Sequence, residues 1–278
     1  MSTPIRLCLV GRGVTASPSQ AMHEAALHAC GIHGSYLNRE VAPEELPEFV
    51  VRLRSGAYRG CNVTIPYKAK LATACDQLEG DALILGVVNT IRLEPGGRLV
   101  GSNTDPRGFE LALIAQTMWP QEGGRAVVLG AGGAAAAVTL ALTRVPMSEI
   151  LVAARRDDAA ADVARRLRDS GNVEATGWDL DRLLAAVAEA DILVNATPVG
   201  VEELPVDVRD LPPSCTVADV RYRPQPVDFV AAALDTGRRA CDGLEMLLQQ
   251  GALSFETWTG TPAPIVAMRR ALRRALGR

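Results

Sequence analysis

Residues 127–137 read VVLGAGGAAAA, and no other run so limits what this chain can fold into. Gly130, Gly132 and Ala135 fall in the G-x-G-x-x-A arrangement, directly after an apolar strand-like run and at the opening of a helical one. Glycines there permit a tight turn and let a pyrophosphate approach free backbone amides at the helix N-terminus, where the helix dipole favours an anion. A glycine turn in a tightly packed α/β protein is the competing explanation, weakened by the strand and helix on either side. About twenty residues on, an NAD enzyme places an acidic residue against the ribose hydroxyls. This chain has Ala154-Arg155-Arg156 instead. Two guanidinium groups suit a 2′-phosphate, so the expected dinucleotide is NADP. Asp157 and Asp158, next in line, read as acidic residues in the first turn of the following helix.

The loop belongs to an alternating series: RAVVLG, a helix, EILVAA, a helix, ADILVNAT, CTVADV, a helix near 226–236, and RRACDG. That rhythm predicts a Rossmann-type, doubly wound parallel sheet over 106–243. Residues 1–105 carry a separate β/α alternation, with strands expected at 5–10, 34–41 and 59–65 and helices at 18–30, 44–55 and 67–75. Ser17-Pro18 suits a helix start, with Ser as cap and Pro at the first helical position. Two strands around Glu94-Pro95-Gly96-Gly97 predict a hairpin at the edge of that first sheet. Helical segments at 244–258 and 262–276 have no strand after them and are expected to return to the first domain. The fold class is therefore α/β with two domains: 1–105 completed by helices from 244–278, and 106–243.

At 278 residues with a formal charge of −3, the chain has no general attraction for nucleic acid or anionic lipid. The basic C-terminal run MRRALRRALGR reads as a solvated helix face. Six scattered cysteines without a CxxC pair suit reduced thiols and a cytoplasmic setting. The opening residues show no signal pattern, no stretch is apolar enough to span a membrane, and His23, His28 and His33 lack the i, i+4 spacing of a metal pair. No metal, nucleic-acid or membrane partner is expected; a monomer or homodimer is.

GCNVTIPYKAKL, residues 60–71, gathers Asn62, Thr64 and Lys68 around a strand-like Val63-Thr64-Ile65 that Pro66 stops. Ligands of parallel sheets lie beyond the carboxyl ends of strands, so this amide, hydroxyl and amine form a candidate substrate site. Hydride transfer between an alcohol and a nicotinamide also moves a proton, a task suited to the Lys68 amine. Asp105, in SNTD, is the candidate to hold that amine and share the substrate hydroxyl.

NVTIPYK (62–68), VNT (88–90), SNTD (102–105), GAGGAA (130–135), NATPVG (195–200) and DGLEMLLQQGALSFETWTG (242–260) together resemble the shikimate dehydrogenase family. That family reduces 3-dehydroshikimate with NADPH. The resemblance implies a catalytic Lys68 and Asp105, and substrate contacts from Asn62, Thr64, Asn89 and Gln250, with Tyr222 nearby. It implies nucleotide contacts from Gly130, Ala131, Gly132, Gly133, Ala134, Ala135, Arg155, Arg156, Asn195, Thr197, Val220 and Gly243. Where the family usually has His-Ser-x-Ser-Pro, whose hydroxyls hold the substrate carboxylate, this chain has Val14-Thr15-Ala16-Ser17-Pro18. Both Thr15 and Ser17 keep a hydroxyl, and Thr15 adds a methyl. Ala154 and Arg156 depart from the family's Asn-Arg-Thr, and Glu245 stands where many relatives have Gly. Quinate, an aminoshikimate, or a non-catalytic sensor of shikimate are the alternatives to shikimate turnover. Enzymes of similar plan acting on folate or aminoacyl-tRNA fit the NVTIPYK group and the mild acidity poorly.

Overall fold

The computed structural model describes residues 4–278. Two compact units emerge, one up to Thr104 together with Leu248–Arg278, the other Asp105–Leu247.

In the first unit, β1 (Ile5–Gly11), β2 (Gly34–Glu40), β3 (Gly60–Val63), β4 (Gln77–Leu78), β5 (Thr90–Leu93) and β6 (Leu99–Ser102) form one sheet in the order β2-β1-β3-β5-β6-β4. β1 pairs in parallel with both β2 and β3, while β5 is antiparallel to β3 and β6. Being central, β1 is buried on both faces, and alternate residues serve different layers. Cys8 and Val10 join a core with Phe49, Leu53, Cys61 and Ile91, whereas Leu7 and Leu9 pack with Tyr36 and Trp258. Burying each such branched side chain contributes about 1.5–3 kcal/mol. The helices α1 (Ser19–Ala29), α2 (Leu46–Arg54), α3 (Lys68–Ala74) and α4 (Asp81–Leu85) connect the strands. The helix starts one residue later than expected: Pro18, not Ser17, is the N-cap, and Ser17 Oγ accepts the Ser19 N–H at 3.3 Å from outside the helix.

Two expectations change in this unit. β3 ends at Val63, short of the predicted residue 65. Thr64 N–H still reaches Val10 O at 3.0 Å, but the chain then turns at Pro66, which puts Thr64 on the rim. The 90–102 hairpin forms with Leu93 opposite Leu99, yet it is not the sheet edge, because two-residue β4 pairs outside it.

The second unit is a parallel sheet of β7 (Arg125–Leu129), β8 (Glu149–Ala153), β9 (Val173–Thr176), β10 (Ile192–Asn195), β11 (Thr216–Asp219) and β12 (Arg239–Cys241) in the order β12-β11-β10-β7-β8-β9. Counted from β7, this is the doubly wound Rossmann order. The sequence pattern had no place for β9. Helices α5 (Asp105–Ala115), α6 (Gly133–Leu142), α7 (Asp157–Leu167), α8 (Leu180–Val187) and α9 (Asp228–Asp235) cover it. Ala126 and Val128 of β7 pack with Ala135 and Val138 of α6, while Val127 and Leu129 pack with Leu183 of α8 and Phe229 of α9. Strand order reverses between β7 and β10, so their following loops diverge and open a crevice at the carboxyl edge.

The chain finishes with α10 (Leu244–Thr259) and α11 (Ile265–Ala275). From Leu248 onward it belongs to the first unit, where α11 packs on α1 and Trp258 donates its indole N–H to Ile91 O at 2.9 Å. All six cysteines are free thiols. Among the described residues, no helix is long and apolar enough to cross a membrane, and no cluster of His, Cys, Asp and Glu is arranged to hold a metal.

Candidate active site

The polar residues of the first unit gather at the carboxyl ends of β1 and β3. Asn62, 6% exposed, accepts the Tyr36 hydroxyl at 2.8 Å and donates from Nδ2 to Asn89 O, Thr90 Oγ1 and Ser254 Oγ at 3.1, 3.3 and 2.9 Å. Asn89 in turn donates to Thr104 Oγ1 at 2.8 Å and Gln250 Oε1 at 3.3 Å, and accepts the Thr104 N–H at 2.8 Å. Thr104 Oγ1 donates to Gln250 O at 3.0 Å, and this bond, with those from Asn62 to Ser254 and from Asn89 to Gln250, ties α10 to the strand ends. This network fixes three sequence-predicted residues, Asn62, Asn89 and Gln250, through three partners the sequence did not reveal: Tyr36, Thr90 and Ser254. Satisfied polar groups at low dielectric hold one arrangement. Asn62 has both amide hydrogens committed inward.

Thr64 and Lys68 stand at the rim and are both half-buried. Gly11 abuts Thr64 so closely that a Cβ there would lie 2.4 Å from the threonine methyl. Lys68 opens α3, and its carbonyl accepts the Val88 N–H at 3.2 Å, which anchors the helix start beside Asn89. The Thr15–Ser17 loop follows β1 and is held by β2. Asn38 donates to Ser17 O at 2.8 Å, and the Glu40 carboxylate accepts the N–H groups of Gly13 and Val14 at 2.8 and 3.0 Å. Those two backbone hydrogen bonds, with Arg12 nearby, hold the Glu40 carboxyl below the usual carboxylate range. Thr15 is exposed and Ser17 half-buried.

Behind this face, His23 is fully buried and stacks on Tyr36 at 4.3 Å. Neither ring nitrogen meets a hydrogen-bond partner, and neighbouring Asn62 lies outside good geometry. Burial holds the imidazole neutral, its pKa lowered to about 3 and only partly restored by Asn62.

In the second unit a cleft of about 600 Å³ is lined by Gly130, Ala131, Gly132, Arg155, Arg156 and Thr197, along with Trp178 and the loop after β10. Gly130 has φ +110°, and a Cβ there would approach Ala196 O at 3.0 Å, so only glycine suits the turn. Gly132 caps α6 and has open space where a side chain would project. Free amides, room in front of them and two exposed arginines fit a phosphorylated dinucleotide. Asp157 and Asp158 lie in the first turn of α7.

Several predicted nucleotide residues lie outside the lining of this cleft. Gly133 and Ala134 continue into α6, and Ala135 is wholly buried at its packing face, the fingerprint's helix–strand contact. Asn195 is also fully buried: it donates to Asp219 Oδ2 at 2.9 Å and accepts the Thr197 N–H and hydroxyl at 3.0 and 2.7 Å, folding the β10 loop. Burial raises the Asp219 carboxyl, an effect the Arg221 ion pair at 2.7 Å and Asn195 partly offset. Val220 and Gly243 meet at the ends of β11 and β12, where a Cβ on Gly243 would come within 2.0 Å of Val220 O. Tyr222 follows β11, with its pKa raised by burial. Asp105 opens α5, 8% exposed, and Glu245 lies in the first turn of α10.

Strand order, glycine loop and paired arginines together define a dinucleotide-binding α/β protein whose other unit carries a buried polar network. Three family models match: "Shikimate dehydrogenase substrate binding domain" over residues 9–91, "Shikimate / quinate 5-dehydrogenase" over 113–203, and "Shikimate 5'-dehydrogenase C-terminal domain" over 243–273. A Rubrobacter xylanophilus protein named shikimate dehydrogenase (NADP(+)) is 42% identical, covering 95% of this chain and 94% of its own. The Thermus thermophilus shikimate 5-dehydrogenase, solved with NADP(H) and shikimate, is 37% identical with a TM-score of 0.87, covering 98% of this chain and 100% of that one. A Corynebacterium glutamicum quinate dehydrogenase solved with NAD is 28% identical with a TM-score of 0.89, covering 98% and 99%. The chain belongs to the shikimate dehydrogenase family.

Proposed function

We propose that the protein is an NADP-dependent shikimate dehydrogenase, an oxidoreductase that reversibly reduces 3-dehydroshikimate to shikimate on the route to chorismate and the aromatic amino acids. The observation that carries this reading is 42% identity to an NADP-dependent shikimate dehydrogenase along 95% of the chain, against 28% to the NAD-bound quinate enzyme.

On this reading the unit up to Thr104 with Leu248–Arg278 binds substrate and the unit Asp105–Leu247 binds NADP, which moves Asp105 and residues 244–247 from the expected first domain to the second unit. Reduced NADP supplies the hydride for the substrate carbonyl. Lys68 Nζ delivers a proton to the oxygen that becomes the hydroxyl and withdraws it in the reverse direction, with Asp105 assigned to the same step. Thr15 and Ser17 hold the carboxylate; Thr64, Gln250 and Tyr222 address the ring hydroxyls. Asn62, Asn89 and Asn195, with their amides engaged inward, serve as positioning residues. Arg155 and Arg156 take the 2′-phosphate, while Ala131 and Gly132 leave amides open to the pyrophosphate, the Gly130 N–H being given to Ala153 O. Six free thiols accord with a reducing cytoplasm, and the enzyme works as a monomer or homodimer.

The test is turnover. The purified chain given shikimate and NADP is expected to form reduced nicotinamide. Tight shikimate binding with no turnover under either nicotinamide cofactor would make it a sensor instead.

A further inference from the structure

The β8/β9 pairing runs in register to Ala153 opposite Thr176, and Ala154 N–H continues it to Thr176 O at 3.2 Å. Arg155 and Trp178, each two residues past that last pair, therefore leave the carboxyl edge side by side. The Arg155 guanidinium carbon lies 6.0 Å from the centroid of the Trp178 ring, and both residues line the cleft. The indole is seated: it packs against the core containing Val127, Leu129 and Ala153. Gly177, just before it, abuts the start of α7: a Cβ there would fall 1.9 Å from Asp157 Oδ1. A base inserted between two stacked groups needs about 7 Å, twice a van der Waals contact, so no adenine fits between indole and guanidinium. The outer face of Arg155 and its N–H groups remain for a ligand.

We propose that Trp178 is a positioning residue for the adenosine 2′-phosphate: its ring makes a cation–π contact that keeps the Arg155 guanidinium directed at the cleft and so sets the preference for NADP over NAD. The proposal rests on the NADP reading above. An exposed arginine loses rotamer freedom when it captures a phosphate; one already drawn towards a ring face loses less. The contact also lacks any contribution from the indole N–H, which is buried without an acceptor. Phenylalanine is therefore expected to replace Trp178 with little loss, whereas leucine is not.

Calorimetric titration of the full chain with NADP and with NAD tests this. Trp178→Leu is expected to weaken NADP binding about two- to fivefold, the range of an exposed cation–π contact, and to weaken NAD binding less. Trp178→Phe should retain most of the preference, and Trp178→Leu should add nothing in an Arg155→Ala background. Arg155→Lys, at an exposed position where folding is not at risk, keeps the charge without the planar guanidinium and should lose the same preference. Equal weakening of both cofactors in Trp178→Leu, a Trp178→Leu effect that persists without Arg155, or full preference in Arg155→Lys overturns the proposal. A wild type that does not prefer NADP overturns the reading beneath it.

Discussion

The two units prepare for a ligand in opposite ways. In the first, the polar side chains are hidden and satisfy one another: Asn62, Asn89, Thr90 and Ser254 are each 6% exposed or less. In the second, the ligand-facing surface is mostly glycine, alanine and backbone, with its charge on two exposed arginines. A small, hydroxyl-rich acid is recognised by dipoles that must already point the right way, which requires a rigid network beneath the contact surface. A large anionic cofactor asks instead for reachable amides, room and positive charge. On the proposed reading, the satisfied network of one unit and the open cleft of the other answer these different demands.

The largest expected effect breaks the chemistry without touching either design. Lys68→Ala should lower turnover by about 10²–10⁴-fold while changing the shikimate KM little, the pattern of a proton-transfer group; an unchanged rate removes Lys68 from the mechanism. Next, Asn62→Leu strips partners from Tyr36, Asn89, Thr90 and Ser254, and denaturant unfolding should register a loss of roughly 2–4 kcal/mol. Arg156→Ala in the open cleft should change stability by less than about 0.5 kcal/mol. Similar losses in both would erase the contrast.

His23 gives a smaller, pH-dependent distinction, because every histidine of the chain lies in the first unit. Its folded pKa, about 3, is below the ordinary 6.5. Below pH 6.5 the unfolded chain takes up a proton that the folded chain refuses. Stability is thus whole above that pH and falls towards pH 3, by about 1.4 kcal/mol per pH unit from this group. His23→Phe should flatten that acid limb in a pH series of unfolding curves, and an unaltered limb would mean the imidazole is not held neutral. The smallest effect is expected from Thr15→Ser: a change within about threefold in the shikimate-to-quinate ratio of kcat/KM, since one methyl is at stake. A much larger change would make Thr15 the determinant of substrate choice.

What could be read beforehand divides along the same line. The glycine loop and Arg155-Arg156 are local signals, and their strand–loop–helix setting was visible in the residues themselves. The network was not: Ser254 lies 192 residues from Asn62 and hides in an ordinary amphipathic helix, and Tyr36 and Thr90 look like strand residues. β9 escaped because Val-Glu-Ala-Thr on a sheet edge shows no apolar run, and with it went Trp178. The strand predicted to residue 65 overran because Val63-Thr64-Ile65 has strong β-propensity, while Pro66 and the rim turn end the ladder two residues sooner.

The most direct measurement is kcat/KM for shikimate and quinate, each with NADP and with NAD. Shikimate with NADP is predicted to exceed the other three combinations. A higher value for quinate, or for NAD, would contradict the assignment of the polar network to shikimate or of the arginine pair to the 2′-phosphate.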